Sequence, residues 1–276
     1  MEIKSPKVSV TMASYNSQRF IGEAIQSILN QALFDFELII VDDCSKDETY
    51  KIAKDYERKD SRIRVYKNKS NLGGCETLNK CMKMAKGKYI AVMDNDDWSY
   101  PDRLKKQADF LDDHPKVGMV GGVMEIMNEN NRVLAVRKYH LSDLEIRKHI
   151  FRYSPFSHPL IMIRKSVLES VGYGDCSFAP ADDYELYFRI GSKYKLANLA
   201  DILLKYRVLP GSITHKTTKR MVGTTLKVRR MYRLNNKYHM NFIDYFFSMI
   251  MFISVRILPS WAIIKLFNLI RNRKIE

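Results

Sequence analysis

Lys88-Tyr89-Ile90-Ala91-Val92-Met93-Asp94-Asn95-Asp96-Asp97 decides how this chain folds. Residues 89–93 are apolar and β-prone, and three carboxylates follow within four residues. A run that is apolar on both faces predicts a strand buried in a parallel sheet. Open α/β sheets bind ligands at the C-terminal ends of such strands. Carboxylates crowded there repel one another unless a cation or solvent relieves them. Magnesium or manganese suits an all-oxygen set of this kind. The alternative is a solvated acidic turn, with Asp97 merely capping the turn before Pro101.

Upstream, Val8–Met12 reads as a short apolar strand that breaks at Ala13-Ser14-Tyr15-Asn16. Phe20 to Gln31 carries apolar residues at helical spacing. Phe36–Val41 is a second buried strand and also ends in acids, Asp42-Asp43. A helix to about Tyr56, a strand at Ile63–Tyr66, a loop at Asn71-Leu72-Gly73-Gly74 and a helix from Thr77 to Ala85 lead back to the opening stretch. Downstream lie a helix at Arg103–Leu111 and a strand at Val117–Met127. Alternating strands and helices predict an α/β fold with a doubly wound, mostly parallel, Rossmann-like sheet. Beyond residue 128 the alternation loosens. A helix opens at Asp182-Asp183, and Thr218–Leu234 reads as a basic helix.

A chain of 276 residues with 46% hydrophobic and 28% charged content suits one large domain plus an appendage, and excludes a disordered protein. The net charge of +15 is unevenly placed. From Lys205 onward there are 15 Lys/Arg against two acids, whereas the remainder carries 31 against 29. This asymmetry points to an anionic surface meeting the C-terminal part. No nucleic-acid module accompanies it, so nucleic acid is not an expected partner. Asn241 to Ile270 is strongly apolar, but its longest charge-free run, Tyr245 to Val255, is too short to span a bilayer. An interfacial helix pair fits, and so does a hairpin that packs on its own domain or on a second copy, as in a homodimer. Met1–Lys7 carries no signal-peptide core, so a cytoplasmic chain is expected. Cys44, Cys75, Cys81 and Cys176 form no metal-binding pattern and are expected to be reduced structural thiols.

Several side chains could carry chemistry. Asp43, at the end of the second strand, could accept hydrogen bonds from a nucleoside, while a helix cap is the plain alternative. Tyr15 could stack on a base. The Gly73-Gly74 turn would let backbone approach a ribose or phosphate. One of Asp182 and Asp183 could cap the helix; in the functional reading Asp182 contacts the acceptor and Asp183 takes a proton from its hydroxyl. The helix N-terminus lowers that basicity, and nearby acids raise it. His158 and His215 are candidate metal ligands or acceptor contacts, although an isolated histidine is more often structural.

Taken in order, Val8-Ser9-Val10-Thr11-Met12-Ala13-Ser14-Tyr15-Asn16, Glu37-Leu38-Ile39-Ile40-Val41-Asp42-Asp43-Cys44-Ser45, Asn71-Leu72-Gly73, Gly87 to Asp97, and Pro101-Asp102-Arg103-Leu104 resemble the family 2 glycosyltransferases. The likeness runs from about residue 6 to 210. It implies a GT-A fold and inverting transfer from a nucleotide-sugar, usually a UDP-sugar, with Mn2+ or Mg2+. It implies that Ala13, Tyr15, Asp43 and Gly73 line the nucleotide pocket, Ala13 through its backbone. Asp94 and Asp96 would be the D-x-D acids, with Asp96 the direct metal ligand and Asp94 facing the donor or the ion. Asp183 would be the base. No Q-x-x-R-W motif follows, which argues against a processive synthase.

The implied division is a glycosyltransferase domain at 1–215 and a membrane-associating tail at 216–276. Within the domain, 1–127 would be the nucleotide-sugar half and 128–215 the acceptor half. The tail resembles those of bacterial enzymes that build surface polysaccharide, O-antigen or capsule, at the inner face of the cell membrane. A glycan or lipid-linked acceptor would follow. Two other classes compete: a sugar-nucleotidyltransferase, which would need a Gly-rich phosphate loop absent from Ala13–Asn16, and a non-enzymatic membrane-associated scaffold.

Overall fold

The computed structural model describes residues 5–209, 213–271 and 273–274, with side chains for all of these except 213–216 and 266–274. The first half alternates as β1 (Val8–Ser14), α1 (Ile21–Leu29), β2 (Phe36–Asp42), α2 (Thr49–Lys59), β3 (Ile63–Lys67), α3 (Gly74–Met84), β4 (Tyr89–Val92), the short β5 (Trp98–Ser99), α4 (Arg103–Asp113) and β6 (Val117–Met127). There follow β7 (Val133–Arg137), α5 (Asp143–His149), β8 (Met162–Arg164), α6 (Lys165–Val171), α7 (Asp182–Lys193) and β9 (Lys195–Arg207). Helices α8 (Ile213–Tyr232), α9 (Phe242–Ile257) and α10 (Ser260–Arg271) and a two-residue β10 (Arg273–Lys274) complete the described chain.

Strands β3-β2-β1-β4 lie side by side and parallel. The chain runs outward from β1 to β3 and then returns to the other side of β1 for β4. This reversal opens a crevice at the C-terminal ends of β1 and β4, where doubly wound sheets bind ligands. Strands β2 and β4 carry continuous apolar runs because both sheet faces are covered. Leu38, Ile40, Tyr89 and Ala91 enter one apolar layer with α1 and α4. Ile39, Val41, Ile90 and Val92 enter the other with α3 and α7. Gly87 lets β4 start against β1, since a Cβ there would fall 2.5 Å from the Ser9 nitrogen.

The second half of the sheet is mixed. The short β8 lies antiparallel between β4 and β6, so β6 does not touch β4 directly. Strand β9 runs parallel to β6, and β7 pairs β6 antiparallel.

The cysteine expectation is overturned. Cys75 and Cys176 form a disulfide, with Cα atoms 5.7 Å apart across a separation of 101 residues. Spacing along the chain gives no hint of the pair, because the fold brings the start of α3 against the loop before α7. Cys44 and Cys81 remain free thiols.

The tail is anchored at its root. Val228 and Arg229 of α8 are buried, and Arg229 donates to the Arg152 carbonyl at 2.9 Å and to Ser248 Oγ of α9 at 3.2 Å. Asn241 and Asp244 form a capping box at the start of α9. Asp244, itself buried, also accepts from Arg152 Nε at 2.8 Å. The outer face of α9 is uncovered by the described chain: Phe242 is 85% exposed, Ile257 73%, and Phe246, Ile250 and Ile253 lie open between them. Among the described residues no helix is long and apolar enough to cross a membrane.

Candidate active site

Strand β4 is buried throughout and delivers its acids into the crevice. Main-chain pairing with β1 continues past the strand, with Met93 N donating to the Thr11 carbonyl at 3.0 Å. Asn95 Nδ2 then donates to the Ala13 carbonyl at 3.0 Å, which ties the first sequence motif to the acidic one. Carboxylate oxygens of Asp94, Asp96 and Asp97 lie within 4.8 Å of one another.

Two guanidinium groups hold this acidic turn. Arg103, fully buried at the start of α4, donates to the Val92 carbonyl at 2.6 Å. Its charge acts on Asp94 and Asp97. Burial pushes its own pKa down to about 10 against the pull of these two acids. Arg207, at the end of β9, donates its backbone N–H to Asp97 Oδ1 at 2.8 Å and its Nε–H to the Asp96 carbonyl at 2.7 Å. Asp97 is therefore not a cap for the turn before Pro101. The residue preceding α4 is Asp102, and Asp97 is drawn into the acidic cluster by β9.

The electrostatics follow from crowding and burial. Burial raises the pKa of Asp94, opposed by His158 and reinforced by Asp183. Burial and then the charge of Asp94 push Asp96 up to about 7. Burial and both neighbouring acids push Asp97 well above the ordinary range. Asp97 Oδ2 is buried without a hydrogen-bond partner. Three convergent carboxylates, one with an orphaned oxygen, fit a hard divalent cation, which would relieve both the repulsion and the missing partner.

Asp42 and Asp43 divide their tasks. Asp42 Oδ2 accepts from Ser45 N at 3.0 Å and secures the turn after β2. Asp43 instead faces the 68–73 loop. Its Oδ1 accepts from Asn68 Nδ2 and Leu72 N, both at 2.8 Å, and its Oδ2 accepts from Gly73 N at 2.9 Å. Burial opposes ionisation, but donors from Leu72, Asn68, Thr77 and Gly73 outweigh it and hold the carboxyl below its ordinary range. Gly73 has φ +89°, which a side chain would strain. Tyr15 stands 43% exposed on the turn after β1.

Helix α7 begins at Asp182, so Asp182 and Asp183 occupy its first two positions. Burial and then the charge of Asp183 raise the pKa of Asp182. Asp183 Oδ2 accepts from the Tyr187 hydroxyl at 3.3 Å, and that hydroxyl lies 3.1 Å from His158 Nδ1. His158, Asp182 and Asp183 line one narrow crevice with Cys75, Asn79 and Gly174. Asn79 holds its edge, donating to the Gly174 carbonyl at 2.8 Å and accepting from Gly174 N at 3.0 Å. The disulfide thus staples the wall beside the candidate base to the helix that follows Gly73.

A sequence profile described as Glycosyl transferase family 2 matches residues 9–184. This chain belongs to glycosyl transferase family 2. An uncharacterized glycosyltransferase of Methanocaldococcus jannaschii is 32% identical, covering 100% of this chain and 97% of the relative. The O-antigen biosynthesis glycosyltransferase WbnJ of Escherichia coli is 34% identical, covering 73% of this chain and 79% of its own. Among solved structures, S. aureus TarS in complex with UDP-GlcNAc superposes with a TM-score of 0.67 at 20% identity, covering 89% of this chain and 71% of that one. The mannosyltransferase PcManGT of Pyrobaculum calidifontis, in complex with GDP-Man and Mn2+, gives 0.64 at 17% identity, covering 94% and 72%. These likenesses support the GT-A fold. Family membership decides for glycosyl transfer over nucleotidyl transfer or a scaffold.

The fold brings Asp94, Asp96, Asp182, Asp183 and His158 to one cleft and sets Ala13 against the same acidic turn. His215 lies among the residues whose side chains are not described. Reading from sequence missed the part played by Asp97, Arg103, Arg207 and Tyr187. Asp97 and Arg103 stand within the quoted motifs and Tyr187 follows Asp183 by four residues on one helix face, whereas Arg207 left no local signal.

Proposed function

We propose that this glycosyltransferase moves a sugar from a UDP-sugar to a hydroxyl of a glycan or lipid-linked saccharide, with inversion at the anomeric carbon and a divalent cation. The observation that carries this reading is the convergence of Asp94, Asp96 and Asp97 within 4.8 Å, with Asp183 close enough for its charge to act on Asp94. The complexes of TarS with UDP-GlcNAc and of PcManGT with GDP-Man and Mn2+ support a nucleotide-sugar donor and a metal.

Asp183 takes the proton of the acceptor hydroxyl as that oxygen attacks the anomeric carbon. Asp43 fixes the 68–73 loop through Gly73 and faces the nucleoside, with Tyr15 stacking on its base. Asp94, Asp96 and Asp97 would hold Mn2+ or Mg2+, Asp96 most directly. When bound, the ion neutralises the charge that develops on the nucleoside diphosphate as the sugar–phosphate bond breaks. Residues 1–127 form the nucleotide-sugar half and 128–215 the acceptor half.

Residues 216–276 form a membrane-associating tail. The exposed apolar stripe of α9, with Lys/Arg on the neighbouring α8, fits the interface of an anionic membrane, its inner face in the cell. The relation to WbnJ supports a place in surface-polysaccharide synthesis.

A panel of UDP- and GDP-sugars, assayed for nucleotide release with Mn2+ and saccharide acceptors, tests the reading. One UDP-sugar should stand out, and Asp183→Asn should abolish its transfer. Metal-independent turnover would overturn the metal assignment, and wild-type transfer by Asp183→Asn would overturn the base.

A further inference from the structure

Tyr187 follows Asp183 by four residues on α7, so the two side chains share one face of the helix. Tyr187 is fully buried, and its ring meets Phe156 edge-on with centroids 5.1 Å apart. Its only polar atom lies between two partners: Asp183 Oδ2 at 3.3 Å and His158 Nδ1 at 3.1 Å. A phenol has one proton to donate. The carboxylate can only accept, so that proton points to Asp183. His158 must then be the donor on the other side, with the hydrogen on Nδ1. Burial and the charge of Asp183 keep the phenol neutral, well above its ordinary pKa. The other carboxylate oxygen, Asp183 Oδ1, accepts from Tyr184 N at 2.7 Å. One donor on each oxygen fixes the plane of the carboxylate and leaves each oxygen a lone pair to receive a proton.

We propose that Tyr187 is a positioning residue for the transfer, holding the Asp183 carboxylate toward the acceptor hydroxyl, and that His158 acts through Tyr187 by fixing the direction of its O–H. The proposal rests on Asp183 being the base. It replaces the expectation that His158 touches the acceptor itself. A general base must sit within hydrogen-bond reach of the proton it takes, and a freely rotating carboxylate spends little time there.

The test uses the full-length enzyme and the donor that gives the largest nucleotide release in the panel above. Tyr187→Phe keeps the ring and its packing and removes only the hydroxyl. It should lower kcat about 10- to 100-fold. The donor KM should stay within about twofold, because Tyr187 does not meet the donor. His158→Ala should lower kcat by a smaller factor. His158→Asn, whose amide N–H can stand in for Nδ1–H, should recover at least half of that loss. Tyr187→Phe/His158→Ala should be no slower than Tyr187→Phe, since His158 then has nothing to orient.

Wild-type kcat in Tyr187→Phe overturns the proposal, as does a raised KM with unchanged kcat. Multiplying losses in the double variant overturn the part assigned to His158. If melting curves show that Tyr187→Phe does not fold, the His158→Ala and His158→Asn pair decides: equal losses in both overturn the proposal. Asp183→Asn separates the two levels. Transfer at the wild-type rate there overturns the base itself, whereas an inactive Asp183→Asn beside an unimpaired Tyr187→Phe overturns only the positioning.

Discussion

Breaking the Cys75–Cys176 crosslink, with a dithiol or by Cys75→Ala/Cys176→Ala, frees a loop whose ends lie 101 residues apart. In the chain-entropy account, a crosslink over a loop of this length removes about 4.7 kcal/mol of freedom from the unfolded chain at 25 °C. The folded side changes little, because the Asn79 amide still bridges to Gly174 through both its oxygen and its nitrogen. Stability should therefore fall by up to that amount, a large part of the roughly 5–15 kcal/mol typical of a folded protein. At about 2.1 cal/mol/K of unfolding entropy per residue over 276 residues, the melting temperature drops by up to about 8 °C. Urea unfolding with and without reductant measures the change. The slope should steepen on reduction, since an uncrosslinked unfolded chain exposes more surface. Thiol counting on the denatured, unreduced protein should find two reactive groups, Cys44 and Cys81. Four reactive thiols, or coincident unfolding curves, would refute the reasoning. A reducing compartment opens such a bond, so the added stability belongs to oxidising surroundings.

Manganese should raise the melting temperature more at pH 8 than at pH 6. Asp96 holds its proton up to about 7, and a cation must displace that proton to bind, so affinity falls as pH falls. The shift should vanish in Asp96→Asn, and a shift equal at both pH values would contradict the cluster. Asp43→Asn turns an amide N–H2 toward the Leu72 or Gly73 N–H and should cost about 1–3 kcal/mol in urea unfolding. Faster hydrogen exchange at those two amides is the local sign, and unchanged exchange would show that Asp43 does not hold the loop. Phe246→Asp/Ile253→Asp, on the open face of α9, should leave the melting temperature unchanged and remove co-sedimentation with anionic vesicles. Undiminished vesicle binding would assign membrane contact elsewhere.

Much of the site is legible because its signals are local. Strands β2 and β4 announce themselves through continuous apolar runs, which arise only where helices cover both sheet faces. Their terminal acids lie next to them in the chain, so Asp43, Asp94 and Asp96 are placed by the strands that carry them. The helix at Asp182-Asp183 is likewise marked by its own spacing. The tail is half legible. Its charge and apolarity are plain, but Arg229 turns inward to hold α8 and α9 on the domain, and composition does not show which basic residues meet solvent.

The sequence by itself determined the doubly wound β-α order, the acids at its strand ends and the family. All of these rest on patterns shorter than about a dozen residues or on motifs kept in order. Only the tertiary structure decided the partners. Asp97 meets the Arg207 N–H across 110 residues, Cys75 meets Cys176 across 101, and Tyr187 meets His158 across 29. It also decided that β8 lies between β4 and β6. Such pairings depend on strand order and register, which are set by how whole layers pack and leave no trace in the spacing of the residues they join. The stretch Lys88–Asp97 therefore carries its own acids in plain view, while they are held by Arg103 just beyond it and by Arg207, which β9 brings from 110 residues away.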